Sequence, residues 1–300
     1  MLISRRWMLA GTTSVLATLA NGRAYAAGKV TVAFAGSMGV VMDQGIGPAF
    51  ETKTGTQYQG IAQAALGLAH LLAAKTLHAD VFVSVSKAPI KVVEAAKLVD
   101  QAVPVASTEI VLAYSPKSKF AAAIAAAGDN WPKVLSQPGL RFGRTDPNTD
   151  PQGQYVLYTL QLASIYYKQP GLDTKIGGGK EDIFAEPSLL ARLQDGEIDA
   201  TLGYKSAVIS QKLPYITLPA EMNFSNPALD KDWYSEASLT VTAKGVTKTV
   251  HPGPLVFYAS GLANAVNPAG AAAFVAFLQS AAGQALFKKY GYGPGVGQPI

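Results

Sequence analysis

Backbone N–H groups at the start of a helix attract anions. The turn Gly36-Ser37-Met38-Gly39 offers several of them together with the Ser37 hydroxyl, because it joins a β-branched run to a helix-compatible segment. Small residues there also satisfy the plain steric need of a tight strand-to-helix turn, so this motif alone leaves both readings open. A denser concentration of chemistry is Asp146-Pro147-Asn148-Thr149-Asp150-Pro151-Gln152-Gly153, which sets two carboxylates at the start of a helix. It is not an EF-hand: Pro151 stands where that loop needs Gly, and Leu157 where it needs a bidentate Glu. Asp150 is also placed to cap the helix beginning at Pro151, worth about 1 kcal/mol, and Asp146 to open a turn before Pro147. Glu221, in Leu218-Pro219-Ala220-Glu221-Met222-Asn223, follows a predicted strand and by itself reads as solvated surface.

Other chemistries find less support. Ile176-Gly177-Gly178-Gly179-Lys180 lacks the Ser or Thr of a phosphate loop, since Glu181 follows the lysine. His70, His78 and His251 are scattered without metal-ligand spacing. Ala35-x-Ser37-x-Gly39 approximates the nucleophile elbow of a serine hydrolase, but His251, beside Pro252-Gly253, is the only histidine late enough to complete a triad, which leaves an enzyme as the disfavoured alternative.

The elements that must carry these residues follow from periodicity. Lys29 to Phe34, Gln57 to Gln63 and Asp80 to Val85 read as strands. Helical segments run from the Gly36 turn to about Glu51 and from Leu66 to Leu77. Thr108 to Tyr114 opens a second set with strands at Gly139 to Gly143 and Ile198 to Leu202. Between those two strands lies a helix from Pro151 to about Lys168, closed by Gln169-Pro170-Gly171. Residues 222 to 236 read as loop, Ala237 to Thr242 and Pro254 to Ser260 as strands. Two helices end the pattern, the first capped by Asn267-Pro268 and the second running from Gln284 to Tyr290. Alternation of strand and helix predicts an α/β fold with parallel sheets covered on both faces.

The 300 residues carry 25 Lys+Arg against 20 Asp+Glu, a formal +5. Residues 1–26 hold Arg5, Arg6 and Arg23, no acid, an apolar stretch from Trp7 to Ala20 and a small-x-small cleavage pattern at Ala24-Tyr25-Ala26, and are read as a cleaved export signal. Ser4-Arg5-Arg6-Trp7-Met8-Leu9 resembles the twin-arginine signature. Without that segment 22 Lys+Arg face 20 Asp+Glu and no basic block remains, so nucleic acid is not an expected partner. The absence of cysteine excludes disulfides and a cysteine-linked lipid, and the expected location is the periplasm.

Taken in order, Ala35-Gly36-Ser37, Ala79-Asp80-Val81, Phe142 through Gly153, Tyr204-Lys205-Ser206 and Leu218 through Asn223 resemble the periplasmic molybdate/tungstate-binding proteins of ABC importers, along essentially the whole chain after the signal. The resemblance implies a type II periplasmic binding protein of two lobes, each a mainly parallel sheet flanked by helices, closing by hinge motion over a ligand in the interlobe cleft. It places residues 27–107 plus 219–300 in lobe 1 and 108–218 in lobe 2. It implies capture of a tetrahedral oxyanion, molybdate or tungstate, with delivery to a membrane ABC permease, no catalysis, no cofactor and a monomeric chain. By position, Ser37 matches the first serine donor, Tyr204 the hinge-side tyrosine, and Asp150 and Glu221 the two carboxylates that approach the Mo or W centre and expand its coordination. At Ala65, in Gln63-Ala64-Ala65-Leu66-Gly67, relatives carry a second serine; here only backbone N–H groups remain, and a lost bond to a charged ligand costs roughly 1.5–3 kcal/mol. Two carboxylates beside a dianion repel it by about 4 kcal/mol per close pair at an effective dielectric near 20. That favours a central atom able to accept their oxygens and penalises sulfate or phosphate, the alternative ligands of the same fold.

Overall fold

Val30, Val32, Ala33 and Phe34 are all fully buried, so the strand they form is covered on both faces, as the middle of a parallel sheet must be. The computed structural model describes residues 28–179, 181–243 and 245–300; the export-signal reading of residues 1–26 lies outside them. Strands of the first unit are β1 (Lys29–Ala35), β2 (Gln57–Gln63), β3 (Val81–Ser84) and β4 (Val103–Ser107). The second unit holds β5 (Ile110–Tyr114), β6 (Ala200–Tyr204), β7 (Tyr215–Thr217) and the hairpin β8 (Leu239–Ala243) and β9 (Val246–Val250). The chain then returns through β10 (Val256–Gly261) and β11 (Gly293–Pro294).

The first sheet has the order β11-β4-β10-β3-β1-β2. β1 pairs in parallel with β2 and β3, while β10 runs antiparallel to β3 and β4, so the first four strands share one direction. Side chains alternate across it. Val30, Val32 and Phe34 meet Met38, Val41, Met42, Ile46 and Phe50 from the helical run after β1, which ends in α1 (Gly47–Thr54). On the opposite face Ala33 and Phe82 meet Leu68 and Leu72 of α2 (Ala65–Ala73) and Ile90 and Val93 of α3 (Lys87–Ala95).

The second sheet, order β6-β5-β7, is antiparallel at both pairings, which departs from the parallel expectation for this lobe. β5 leads away from the first sheet, and β6 and β7 both run back toward it, so opposite directions are forced. The predicted strand at Gly139–Gly143 reduces to a single parallel bridge, Phe142 with Ala200. Over this sheet lies α4 (Pro151–Tyr166), with Val156, Leu160 and Ala163 in the same core as Ile110, Leu112 and Leu202.

Residues 219–255, expected with lobe 1, pack on this second core instead: Met222, Phe224, Tyr234, Ala237 and Leu255 all belong to it. Their apolar side chains have Tyr155 and Tyr158 of α4 to cover them, with the Tyr155 and Phe224 ring centroids 4.9 Å apart. The two chain crossings lie side by side, since the Thr108 N–H donates to the Leu255 carbonyl at 2.9 Å.

Candidate functional site

Parallel pairing sets the first half of the site. Ala35 and Gln63 are the last partners of β1 and β2, and each strand passes directly into a helical turn, at Gly36–Met38 and at Ala65. Neither turn is capped by a side chain, so first-turn N–H groups point outward together from one sheet edge. Ser37 is exposed on that edge. Ala65 is 7% exposed and brings no hydroxyl, while its neighbour Leu66 is 51% exposed. Ser86, from the adjacent end of β3, precedes α3 in an extended conformation without capping it, and so adds a polar side chain to the same edge. Sequence reasoning missed it, although a serine followed within three residues by Pro89 is a helix-start signal.

The other candidates belong to the hinge-side end of the second sheet. Tyr204 closes β6 opposite Ile110, and Thr217 closes β7 opposite Val111, which brings Leu218 through Glu221 to the same end. The Asp146–Asp150 loop arrives beside them, because the Phe142 bridge runs parallel to β6. Asp146 Oδ1 accepts from the N–H and Nδ2 of Asn148, and Asn148 Oδ1 accepts from the Thr242 N–H of β8. As expected, Asp150 caps α4, its Oδ1 accepting from the Gln152 N–H at 2.8 Å. Gln152 is buried and donates to the Leu202 carbonyl, pinning the helix start to β6. Gly153 is obligatory here: a Cβ would lie 2.4 Å from the Thr145 carbonyl oxygen.

Glu221 sits in the first turn of a short helix, α6 if counted after α5 (Lys205–Ser210), spanning Ala220–Asn223. Its carbonyl accepts from Trp233 Nε1, the Ala220 carbonyl from the Tyr234 hydroxyl, and the Met222 carbonyl from Thr159 of α4. Burial pushes the Tyr234 hydroxyl up to about 12, and the nearby negative charge of Glu221 adds to that shift. Asn223 is buried and donates to Glu109 Oε2 and to the Leu218 carbonyl; Glu109 Oε1 accepts from Lys205 at 2.6 Å. This network ties the crossing strand, the end of β6 and the Glu221 helix into one support. Tyr155 adds a ring contact to Tyr204 at 6.2 Å.

The five residues singled out from the sequence thus fall into two groups, Ser37 and Ala65 on one edge, Asp150, Tyr204 and Glu221 on the other. No ion pair among the described residues involves Asp150 or Glu221, in contrast to the paired Glu109. A cleft of about 750 Å³ between Thr108, Glu109, Lys205, Lys288 and Tyr292 lies at the β4–β11 side of the interface and is lined by none of the five. The His251 ring faces the Ala237 carbonyl, within the second unit, rather than Ser37.

Two α/β units joined at adjacent crossings give the fold of the type II periplasmic binding proteins. The chain belongs to the bacterial extracellular solute-binding protein family, whose model matches residues 30–293. It is 31% identical over 282 residues to an uncharacterized solute-binding protein of Petrotoga mobilis, a match covering 91% of this chain and 85% of that one. It is also 31% identical over 206 residues to the molybdate/tungstate-binding protein WtpA of Pyrococcus abyssi, covering 61% and 59% respectively. The periplasmic molybdate-binding protein of Azotobacter vinelandii has the same fold, with a TM-score of 0.59 at 16% identity over 88% of this chain and 98% of the other.

Proposed function

We propose that this protein captures a tetrahedral oxyanion, molybdate or tungstate, between its lobes and delivers it to an ABC permease, acting in the periplasm as a monomer without cofactor or catalysis. What supports this reading is that Asp150, at the start of α4, and Glu221, in the first turn of α6, form no ion pair among the described residues. Such groups repel a dianion unless they bond to its central atom, which molybdenum and tungsten accept and sulfur does not readily. Ser37 supplies a hydroxyl, the Ala65–Leu66 turn supplies N–H groups, and Tyr204 closes the hinge side. Relatives named for molybdate and tungstate support the ligand class. The core packing supports lobes of residues 28–107 plus 256–300 and 108–255.

Calorimetric titration of the mature protein tests the ligand. Molybdate and tungstate should bind with clear preference over sulfate and phosphate; equal affinity for all four would assign the fold to a different anion.

A further inference from the structure

Arg144 is 7% exposed and is the one lysine or arginine that is buried among the described residues. It forms no ion pair with a described carboxylate. Instead its Nε donates to the Gly177 carbonyl and its Nη1 to the Thr145 carbonyl, the latter at 2.9 Å. Backbone bonds fix it from both sides, since its own N–H donates to the Asp182 carbonyl and the Phe184 N–H donates to its carbonyl. Gly177 belongs to the glycine run that lacks a phosphate-loop signature, and it ends the helix Leu172–Gly177 against α4. A Cβ there would come within 2.9 Å of Leu157 and 3.0 Å of Leu160. The Thr145 carbonyl in turn abuts Gly153 in the first turn of α4. The next carbonyl, that of Asp146, closes the loop by accepting from the N–H groups of Thr149 and Asp150 at 3.1 and 2.9 Å.

A buried guanidinium without a carboxylate is costly, and for stability alone an apolar side chain of similar length serves such a place as well. What arginine adds is a rigid fork whose N–H groups hold two carbonyls at once. We infer that Arg144 is a positioning residue for Asp150: by clamping the Thr145 carbonyl between Gly177 and the start of α4, it sets the origin of the Asp146–Asp150 loop and so the place at which Asp150 meets the bound anion. The inference rests on the oxyanion reading of Asp150. Lysine keeps the charge but carries it on a flexible stem, so it does not reproduce the fork.

The test measures molybdate affinity by isothermal titration, the melting temperature, and amide hydrogen exchange without ligand, for the wild type, R144K, R144M and R141M. R141M removes the nearby Arg141–Asp199 pair and controls for lost stability alone. R144K should bind molybdate about tenfold more weakly, the size expected when a buried hydrogen bond to a charged group is lost. Its exchange should quicken only at the amides between residues 146 and 154. R144M should show the same pattern more strongly, and R141M should melt lower with its affinity kept; should R144M fail to fold, R144K decides. Unchanged affinity in R144K, equal loss in R141M, or a loss without faster exchange in the loop would reduce Arg144 to packing or to bare charge and overturn the inference. Should the wild type bind no molybdate, the oxyanion reading fails, and the positioning of the loop is decided by exchange alone. Faster exchange confined to residues 146–154 in R144K then sustains it, and exchange that is unchanged or raised across the whole second lobe overturns it.

Discussion

Ala35 of β1 stands opposite Gln63 of β2 at the last rung of a parallel ladder, so the turns carrying Ser37 and Ala65 leave the sheet as neighbours. A hydroxyl at position 65 would therefore join Ser37 at the same edge. Ala65→Ser should raise molybdate affinity about tenfold or more, the size expected for one hydrogen bond to a charged group. Isothermal titration of the variant checks this, and unchanged affinity would show that the ligand does not reach the Ala65 turn.

Asp150 has two separable roles. Asn caps a helix as well as Asp does, so Asp150→Asn should keep the ligand-free melting temperature while losing molybdate affinity, whereas Asp150→Ala should lose both, the cap costing about 1 kcal/mol. Glu221→Gln should behave like Asp150→Asn. Thermal unfolding with and without molybdate separates the roles; full ligand stabilisation in Asp150→Asn and Glu221→Gln would leave these carboxylates as helix-end groups only.

Gly153→Ala places a methyl 2.4 Å from the Thr145 carbonyl oxygen and must push α4 off the Asp146–Asp150 loop. A loss of roughly 1–3 kcal/mol in denaturant unfolding is expected, together with weaker molybdate binding because Asp150 moves with the helix. A neutral substitution would mean that the loop and helix start are not rigidly packed.

Acid should weaken the second lobe through Asp199. Burial raises its pKa, but hydrogen bonds from the Arg141 side chain and N–H and from Ser118 outweigh burial and hold it below the ordinary 3.8. A depressed carboxylate pKa contributes stability that is complete above the unfolded value and is lost as pH falls through the folded one. The melting temperature should accordingly drop below about pH 4, with a shallower acid slope in Arg141→Met, whose stability is already reduced at neutral pH. Parallel slopes in the two proteins would contradict this.

Elements with local signals were legible in the sequence, and those fixed by distant packing were not. β1, β2 and the Asp150-capped helix follow from alternation, a cap and a proline within a few residues. α3 escaped notice because Pro89 interrupts its pattern, although a proline in the first turn is harmless. The Gly139–Gly143 strand shrank to a bridge, and residues 219–255 joined the second core, because Phe224 and Tyr234 find their partners on α4 far away in sequence. For the site, Ser37, Asp150 and Glu221 were named from motifs, while the Glu109–Lys205–Asn223 support and the hydrogen bond from the Tyr292 hydroxyl to the Ser37 carbonyl connect residues up to 255 positions apart, which no local pattern records.

The central claim is that Asp150 and Glu221 bond to the metal of the oxyanion. X-ray absorption at the tungsten L3 edge of the tungstate complex measures this directly. Expanded, six-fold oxygen coordination in the wild type, reverting toward tetrahedral in the combined Asp150→Asn and Glu221→Gln variant, is the predicted result; a tetrahedral tungstate in the wild-type complex would contradict the account.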